Sequence, residues 1–351
     1  MSTLRVTRGS TASRVFLIIL MAAVAVLAFA PSFVEPATQR KLIELLTFLS
    51  LAQMWNLLAG FAGLVSVGQQ AFVGLGAYAM VAFINVQGLD LYLSVPLSAI
   101  AVAIVSVPIA FVAFRLRGSY FAIGTWVIAE VIRQITMQVD ALGGGTGLSL
   151  TAFGDAGLSP GRRIAYVYWL SLIAVVLAVG VTYWLMRSRL GLGFTAIRDD
   201  SVAASSLGVR VTLSKRFVFV VSAMGCALAG TMIAANTLRI TPDSIYSVNF
   251  LAFMIFMVVI GGLGTIEGPI VGAIVFFALQ QWLSDLGTWY LVIIGVLAIV
   301  ITLFLPRGIW GLISGNGKIR LFPVGYRLIN PLERFSLTGG SEPHNVTPHH
   351  E

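Results

Sequence analysis

The residues best suited to contact a polar solute lie in a glycine-rich stretch of an otherwise apolar segment. Ser66, Gln69 and Gln70 stand among the glycines Gly60, Gly63, Gly68, Gly74 and Gly76. Serine and glutamine side chains supply both hydrogen-bond donors and acceptors. Glycine breaks a helix, and broken backbone at membrane depth is tolerated only inside protein or beside a cavity. Two interpretations stay open: these side chains line a path for a solute, or they bond neighbouring helices in a packed interior.

A pair of opposite charges lies within another apolar segment. Glu130 and Arg133 are three residues apart, so they share one face of a helix and can pair. We expect both charges to be buried in the segment 119–138. Charges at membrane depth are costly and are functional candidates for that reason. Glu130 is therefore a candidate for the solute path, and a structural ion pair near the helix end is the alternative.

A third polar group lies in the basic loop 187–216, which includes Arg198. Asp199 or Asp200 can cap a short helix, because a carboxylate accepts the free backbone N–H groups at a helix N-terminus. Gly208 can end that helix in the left-handed conformation. We predict a helix of about two turns between two membrane segments. By itself it is a surface loop, but it could also dock into a partner and transmit movement.

Enzymatic chemistry of its own is not expected of this chain. The histidines all lie near the C-terminus, outside the apolar segments, and the one cysteine, Cys226, can form neither an internal disulfide nor a metal site alone. No phosphate-binding loop occurs, since Gly317-Lys318 is followed by Ile319. The sequence therefore predicts no catalytic residues, no metal and no cofactor.

Composition indicates a membrane protein. Of 351 residues, 58% are hydrophobic and 10% are charged, whereas soluble domains carry about 25% charged residues. Lipid must replace water around most of the surface. The net charge is +8, but the basic residues lie between apolar segments, which indicates membrane topology and not nucleic-acid binding.

Ten apolar segments predict an all-α polytopic membrane protein with about ten transmembrane helices, some broken or re-entrant. We expect 61–84, 246–263 and 268–284 to be the irregular ones, because they are short or rich in glycine. We expect the first segment to be retained and not cleaved as a signal peptide, because Pro31 follows it directly. The segments are 15–34, 42–60, 61–84, 91–114, 119–138, 164–186, 217–236, 246–263, 268–284 and 286–305.

The basic residues predict the orientation. With a cytoplasmic N-terminus, sixteen Lys and Arg residues fall inside and five outside, and the opposite orientation reverses this bias. Both termini are therefore predicted in the cytoplasm. The predicted organisation is a cytoplasmic N-terminus over 1–14, a transmembrane domain over 15–305 and a cytoplasmic tail over 306–351.

A second glycine cluster lies near the end of the apolar region, in Gly261, Gly262, Gly264, Gly268 and Gly272. Glycines spaced by four favour tight helix contact. Glu267, beside the predicted helix start at Pro269, is expected to be a solvated acid. The two clusters are loosely alike, and paired glycine interruptions can mark a transport path.

Six motifs over residues 42–314 resemble those of the membrane subunits of branched-chain amino acid ABC importers, a bacterial permease family. They are Asn56-Leu-Leu-Ala-Gly60-Phe-Ala-Gly63 with Gly74-Leu-Gly76-Ala-Tyr78; Tyr120-Phe-Ala with Ala129-Glu130-Val-Ile-Arg133; Gly143-Gly-Gly-Thr-Gly147-Leu148; Ala196-Ile-Arg-Asp-Asp200 through Gly208-Val209; Gly261-Gly-Leu-Gly264-Thr-Ile-Glu-Gly-Pro269; and Pro306-Arg307-Gly308.

The resemblance implies a type II-like importer in the bacterial inner membrane. Its parts would be a sister permease that forms a heterodimer with this chain, two ATP-binding subunits that bind the ATP, and a periplasmic or lipid-anchored solute-binding protein. Residues 196–209 would then be the coupling helix, with Arg198, Asp199, Asp200 and Gly208 as coupling candidates. Residues 139–163 would lie near the dock of the binding protein.

One departure from the family pattern affects the expected solute. The family often has histidine then alanine where this chain has Gln69-Gln70. Leucine, isoleucine and valine are the solutes that the resemblance implies. The alternatives are urea, short amides or other amino acids on the same fold, or a secondary transporter or channel that works alone.

Overall fold

The computed structural model describes residues 5–7, 11–150, 160–287, 289–305, 307–314, 321–322 and 327–329. Within them the chain is almost entirely helical, with two pairs of short antiparallel strands. The strands are β1 Arg5–Thr7, β2 Leu148–Ser149, β3 Arg239–Ile240 and β4 Arg327–Ile329, and β1 pairs with β4 and β2 with β3.

The helices follow the predicted apolar segments closely. Proline occupies the first position of two of the long helices, where its missing N–H is harmless. The helices are α1 Thr11–Phe29, α2 Pro36–Asn56, α3 Gln70–Asn85, α4 Leu91–Ala113, α5 Ser119–Met137, α6 Pro160–Arg187, α7 Arg189–Asp199, α8 Ser201–Ser206, α9 Val211–Thr237, α10 Pro242–Ile245, α11 Val248–Gly261, α12 Glu267–Leu283, α13 Trp289–Phe304 and α14 Gly308–Ile313.

Among the described residues, eight helical segments are long and apolar enough to cross a membrane; they contain α1, α2, α4, α6, α9, α11, α12 and α13. Helix α3 is shorter, and α5 adds a further segment of 19 residues. Together these ten helices match the ten predicted segments. The predicted all-α polytopic membrane fold is confirmed.

Helix α9 lies at the centre of the bundle and packs against α2, α3, α4 and α6. Its contact with α3 is close enough to require glycine. A Cβ atom on Gly76 would lie 2.3 Å from the Ala227 carbonyl oxygen, and one on Gly230 would lie 2.0 Å from the Val73 carbonyl oxygen. Small residues allow backbones to approach in this way, which is how membrane helices gain packing energy.

Contacts at the helix ends place both ends of the described chain on one side of the bundle. Strand β1 pairs with β4, and the Ser13 hydroxyl donates a hydrogen bond to the Leu321 carbonyl over 2.8 Å. At the opposite side, the Asn85 amide donates to the Ser149 carbonyl over 3.0 Å. We call the first side the basic end, because its connecting segments carry Arg115, Arg117, Arg187, Arg189, Arg198, Arg210, Lys215, Arg216 and Arg307. That this end faces the cytoplasm stays a prediction.

The expectation that Glu267 is a solvated acid is wrong. Its residue is 8% exposed, and its carboxylate accepts hydrogen bonds from the backbone N–H groups of Leu321 (3.0 Å) and Phe322 (2.9 Å). The chain beyond α14 returns to cover the start of α12, which displaces water from this carboxylate. The predicted domain boundaries at 14 and 305 stay predictions, although the described part of the tail packs on the bundle.

Candidate transport and coupling sites

The first glycine segment breaks the helical path inside the bundle. Helix α2 passes into a π-helical turn, Leu57–Phe61, and the chain is non-helical until Gln70 starts α3. Two side chains secure the irregular backbone. The Trp55 indole donates to the Ser66 carbonyl over 3.1 Å, and the Val67 N–H donates to the Thr125 hydroxyl over 3.1 Å. The expected irregularity of the segment 61–84 is confirmed at its start, over 62–69, whereas α11 and α12 show no interruption within Val248–Gly261 and Glu267–Leu283, where irregular segments were also expected.

Ser66, Gln69 and Gln70 lie in the interior of this chain, each at most 2% exposed. The Gln69 Oε1 atom lies 3.5 Å from the Ser222 hydroxyl and 3.6 Å from the Cys226 sulfur, both on α9. The Gln69 Nε2 and Gln70 Oε1 atoms have no hydrogen-bond partner among the described residues. The contacts of Gln69 Oε1 favour the packing interpretation, whereas the two unpaired atoms leave room for another partner, so contact with solute stays a prediction.

The expectation that Glu130 and Arg133 are both buried is wrong. The Glu130 side chain is 50% exposed and the Arg133 side chain 22%. Helix α5 turns Thr125, Ala129 and Thr136 inward, which leaves the Glu130 side of the helix uncovered. The ion pair itself is present: Arg133 Nε lies 3.1 Å from both Glu130 carboxylate oxygens.

Two further groups complete this charged cluster. The Arg133 guanidinium also pairs with the Asp243 carboxylate of α10, and the Gln134 amide donates to Glu130 Oε1 over 3.1 Å. The cluster therefore ties α5 to the start of the segment that contains α11. It holds the Glu130 carboxylate in a fixed orientation on the outer surface of α5.

An open groove of about 500 Å³ runs along this surface of α5. Trp126, Glu130, Gln134 and Gln138 follow one another at intervals of four, so they form one stripe along the helix. We call it the α5 stripe. The flanking side chains are Val127, Val131 and Ile135. A carboxylate on a membrane helix generally faces water or protein, so we expect the surface around Glu130 to face one of these.

The loop 187–216 folds into two short helices at the basic end. Helix α7 begins after Ser188, whose side chain accepts a hydrogen bond from the Leu190 N–H. Helix α8 begins after Asp200, whose carboxylate accepts from the N–H groups of Val202 (2.7 Å) and Ala203 (3.1 Å). Gly208 follows α8 with φ of 84°. The prediction of a capped helix ended by Gly208 is confirmed, with Asp200 as the cap.

The observed helix differs from the prediction in one respect. Residues Ala196–Asp199 belong to α7, so α8 alone is less than two turns long. Asp199 pairs with the neighbouring Arg198, at 3.2 Å from its Nε atom, and caps nothing. Arg198 itself reaches the π turn of α2, where its Nη1 donates to the Gly60 carbonyl over 3.0 Å.

Residues 41–302 match a sequence model of the family described as "branched-chain amino acid transport system / permease component". The match covers most of the ten-helix bundle and both helices of the loop 187–216.

This chain belongs to that permease family.

Among known proteins, the permease is 28% identical to the high-affinity branched-chain amino acid transport system permease protein LivM of Salmonella typhimurium. That alignment covers 72% of this chain and 65% of the relative, so the permease spans about two thirds of its length. BraD of Pseudomonas aeruginosa, another high-affinity branched-chain amino acid permease protein, is 28% identical over 45% of this chain and 52% of its own. The fructose import permease protein FrcC of Rhizobium meliloti is 30% identical over 37% and 38%. No solved structure matches.

Sequence analysis placed Asn56 in a family motif but assigned it no role, and in the structure it joins the two glycine regions of the permease. Its side-chain oxygen accepts from the Gly264 N–H over 2.9 Å, and its amide donates to the Thr265 carbonyl over 2.8 Å. An amide four residues before a glycine in an apolar helix is the signal that was available. In the part of the chain that the structure describes, no three His, Cys, Asp or Glu side chains group as metal ligands.

Proposed function

We propose that this chain is one permease subunit of an ATP-driven importer for branched-chain amino acids in the bacterial cytoplasmic membrane. It forms half of the transmembrane path, and a sister permease forms the other half. ATP is bound and hydrolysed by two separate subunits at the basic end, so this chain is not itself an enzyme. A periplasmic or lipid-anchored binding protein delivers leucine, isoleucine or valine to the opposite end.

The observation that carries the proposal is the exposed apolar surface of the coupling loop. Val202 on α8 is 73% exposed, and Leu207 directly after it is 81% exposed. Both stand beyond the membrane-spanning helices, where apolar side chains gain by packing into a protein groove. Helix α7 packs against α6, α9 and the π turn of α2. The helix that precedes Val202 and Leu207 is therefore anchored to the bundle. This is the arrangement that a docking helix for an ATPase needs.

The α5 stripe supports the second part of the proposal, a path shared with a sister subunit. The surface of this groove is almost entirely apolar, which suits the side chain of a branched-chain amino acid, and Glu130, Gln134 and Gln138 are among the residues that line it. We infer that a second subunit encloses the groove, because it is open on one side. Arg133 and Gln134 hold the Glu130 carboxylate at its border.

The choice of solute rests on two observations. The names of LivM and BraD favour branched-chain amino acids. The urea and amide alternatives depended on Gln69-Gln70 facing the solute; both side chains lie inside this chain, and Gln69 contacts Ser222 of α9. That placement removes the reason for expecting an unusual solute.

The opposite end offers a surface for the binding protein. Strand β2 pairs with β3, and Gly147 lies so close to Ile240 that a Cβ atom would stand 2.1 Å from its carbonyl oxygen. This contact fixes the connection between α5 and α6 against the one between α9 and α10. Residues 151–159, within the predicted dock 139–163, lie outside the described residues.

Uptake of labelled leucine tests the proposal, in source cells with and without this chain. Valine, urea, ribose and glutamate serve as unlabelled competitors. We expect an ATP-dependent leucine uptake that valine suppresses and that disappears with the chain. Unchanged leucine uptake in the deletion, combined with loss of uptake of one of the other solutes, would reject the branched-chain assignment.

A further inference from the structure

Arg198 links the coupling loop to the first break in the bundle. It lies in the last turn of α7, and its Nη1 donates to the carbonyl of Gly60, 138 residues away, over 3.0 Å. Gly60 stands in the π turn Leu57–Phe61. A π turn interrupts the regular helical pattern and leaves a carbonyl available to an outside donor. A hydrogen bond from a charged donor is about twice as strong as a neutral one.

The Arg198 side chain occupies space that glycines leave open on both sides. A Cβ atom on Gly63 would lie 3.0 Å from the Arg198 Cγ atom, and Gly63 has φ of 68°. A Cβ atom on Gly264 would lie 3.1 Å from Arg198 Nη1, and Gly264 has φ of 78°. Larger residues at either position would be strained and would crowd the arginine. The arginine therefore lies between the two glycine regions.

Asn56 completes the connection. It bonds the Gly264 N–H and the Thr265 carbonyl, so the turn between α11 and α12 is fastened to the end of α2. Arg198, Gly60, Gly63, Gly264 and Asn56 together form what we call the glycine junction. Helix α7, the π turn and the 262–265 turn meet there through two hydrogen-bonding side chains and through close backbone approaches: a Cβ atom on Gly63 would lie 3.1 Å from the Arg198 Cα atom, and one on Gly60 would lie 2.7 Å from the Gly264 nitrogen.

We propose that Arg198 is the positioning residue that carries a displacement of α7–α8 to the breaks beside α2 and α12. This inference rests on the proposed function, because it assigns a partner ATPase as the source of the displacement. Close-packed elements transmit displacement to one another, and the Arg198 side chain fills the space between α7 and the two glycine regions. Through the junction, movement of α8 repositions the π turn Leu57–Phe61 and the 262–265 turn, where the helical pattern is interrupted.

Distance measurements between spin labels test this link directly. Cys226 is fully buried, so cysteines introduced at exposed Leu192 on α7, outside the docking helix α8, and at exposed Leu263 are the labelling sites in the assembled importer. We expect the native junction to give one narrow distance distribution, both without nucleotide and with ATP and orthovanadate. In Arg198→Ala the distribution broadens or shifts between the two conditions. Distributions identical to those of the native protein in both conditions would overturn the proposal, whichever solute is carried.

Transport measurements supply a second readout, the uptake per ATP hydrolysed. We expect Arg198→Ala to lower it roughly tenfold, the change that loss of one charge-assisted hydrogen bond brings. Arg198→Gln keeps part of the length without the charge, and Arg198→Lys keeps a charged donor. The expected order of uptake per ATP hydrolysed is therefore Lys highest, then Gln, then Ala. Arg117→Ala, an exposed arginine at the same end, is the matched control for charge. An unchanged ratio in Arg198→Ala overturns the proposal, whereas absence of ATP-driven uptake in the native importer counts against the proposed function.

Discussion

Asn56 and Gly264 are 208 residues apart in sequence, and the Gly264 N–H donates a hydrogen bond to the Asn56 side-chain oxygen over 2.9 Å. The same side chain donates to the Thr265 carbonyl. Asn56 is fully buried, so water cannot replace it as a partner. The Asn56 side chain therefore bonds two backbone groups of the 262–265 turn, the Gly264 N–H and the Thr265 carbonyl. We expect substitutions of Asn56 to be destabilising for this reason.

Replacing Asn56 with leucine keeps the volume and removes both hydrogen bonds. We expect the variant to lose about 1–3 kcal/mol of stability, because two partly buried backbone groups lose their hydrogen-bond partner. Thermal unfolding of the purified protein in detergent measures the loss. Asn85→Leu is the control, since Asn85 bonds Ser149 at the exposed opposite end. Equal melting temperatures for the two variants would show that the Asn56 bonds contribute little.

The cap of α8 predicts a difference between two substitutions at Asp200. Asp200→Ala removes the acceptor of two N–H groups and costs about 1 kcal/mol locally, whereas Asp200→Asn retains a capping oxygen. We expect leucine uptake to fall in the alanine variant and to remain near the native rate in the asparagine variant. Uptake normalised to the amount of protein in the membrane is the measurement. If alanine and asparagine behave alike, the order of α8 does not limit transport.

We expect substitution of Glu130 to reduce transport more than it affects folding. Its side chain is half exposed, so Glu130→Leu leaves no cavity, and Arg133 keeps its partner Asp243. We expect uptake to fall about tenfold or more through loss of the polar stripe, with normal insertion into the membrane. Ile123→Ala, on the exposed part of the same helix, is the control. Native uptake by Glu130→Leu would exclude the α5 groove as the solute path.

Two helix glycines are expected to respond oppositely to alanine. A Cβ atom on Gly76 would stand 2.3 Å from the Ala227 carbonyl oxygen, so Gly76→Ala must separate α3 from α9. We expect a loss of at least about 2 kcal/mol, or failure to assemble. Gly180 on α6 has nothing within 4 Å of its Cβ position, so Gly180→Ala gains about 0.5–1 kcal/mol from helix propensity. Thermal unfolding of the two variants measures the loss in Gly76→Ala and the gain in Gly180→Ala. A Gly76→Ala variant as stable as the native protein would show that the α3–α9 contact is not tight.

Local features of this permease could be predicted from sequence because the residues that decide them are neighbours. Asp200 and Gly208 cap and end α8 through contacts within a few residues. The glycines around Gly63 predict the break between α2 and α3 for the same reason. The ten helical segments follow from hydropathy, since a membrane helix needs a long apolar run wherever it lies in the bundle.

Only the tertiary structure decided which side of each helix faces inward. In a soluble helix the apolar stripe marks the buried face, but lipid is as apolar as a protein interior, so a membrane helix carries no such mark. For this reason Glu130 was expected inside and lies outside, while Gln69 could be assigned to either place and lies inside. The hydrogen bonds between Glu267 and Phe322 and between Arg198 and Gly60 could not be predicted either. Each depends on how two segments distant in sequence pack together. The sequence alone determined the membrane-spanning segments and the short capped helix, and packing across long separations determined the exposure of Glu130, the interior glutamines and the glycine junction.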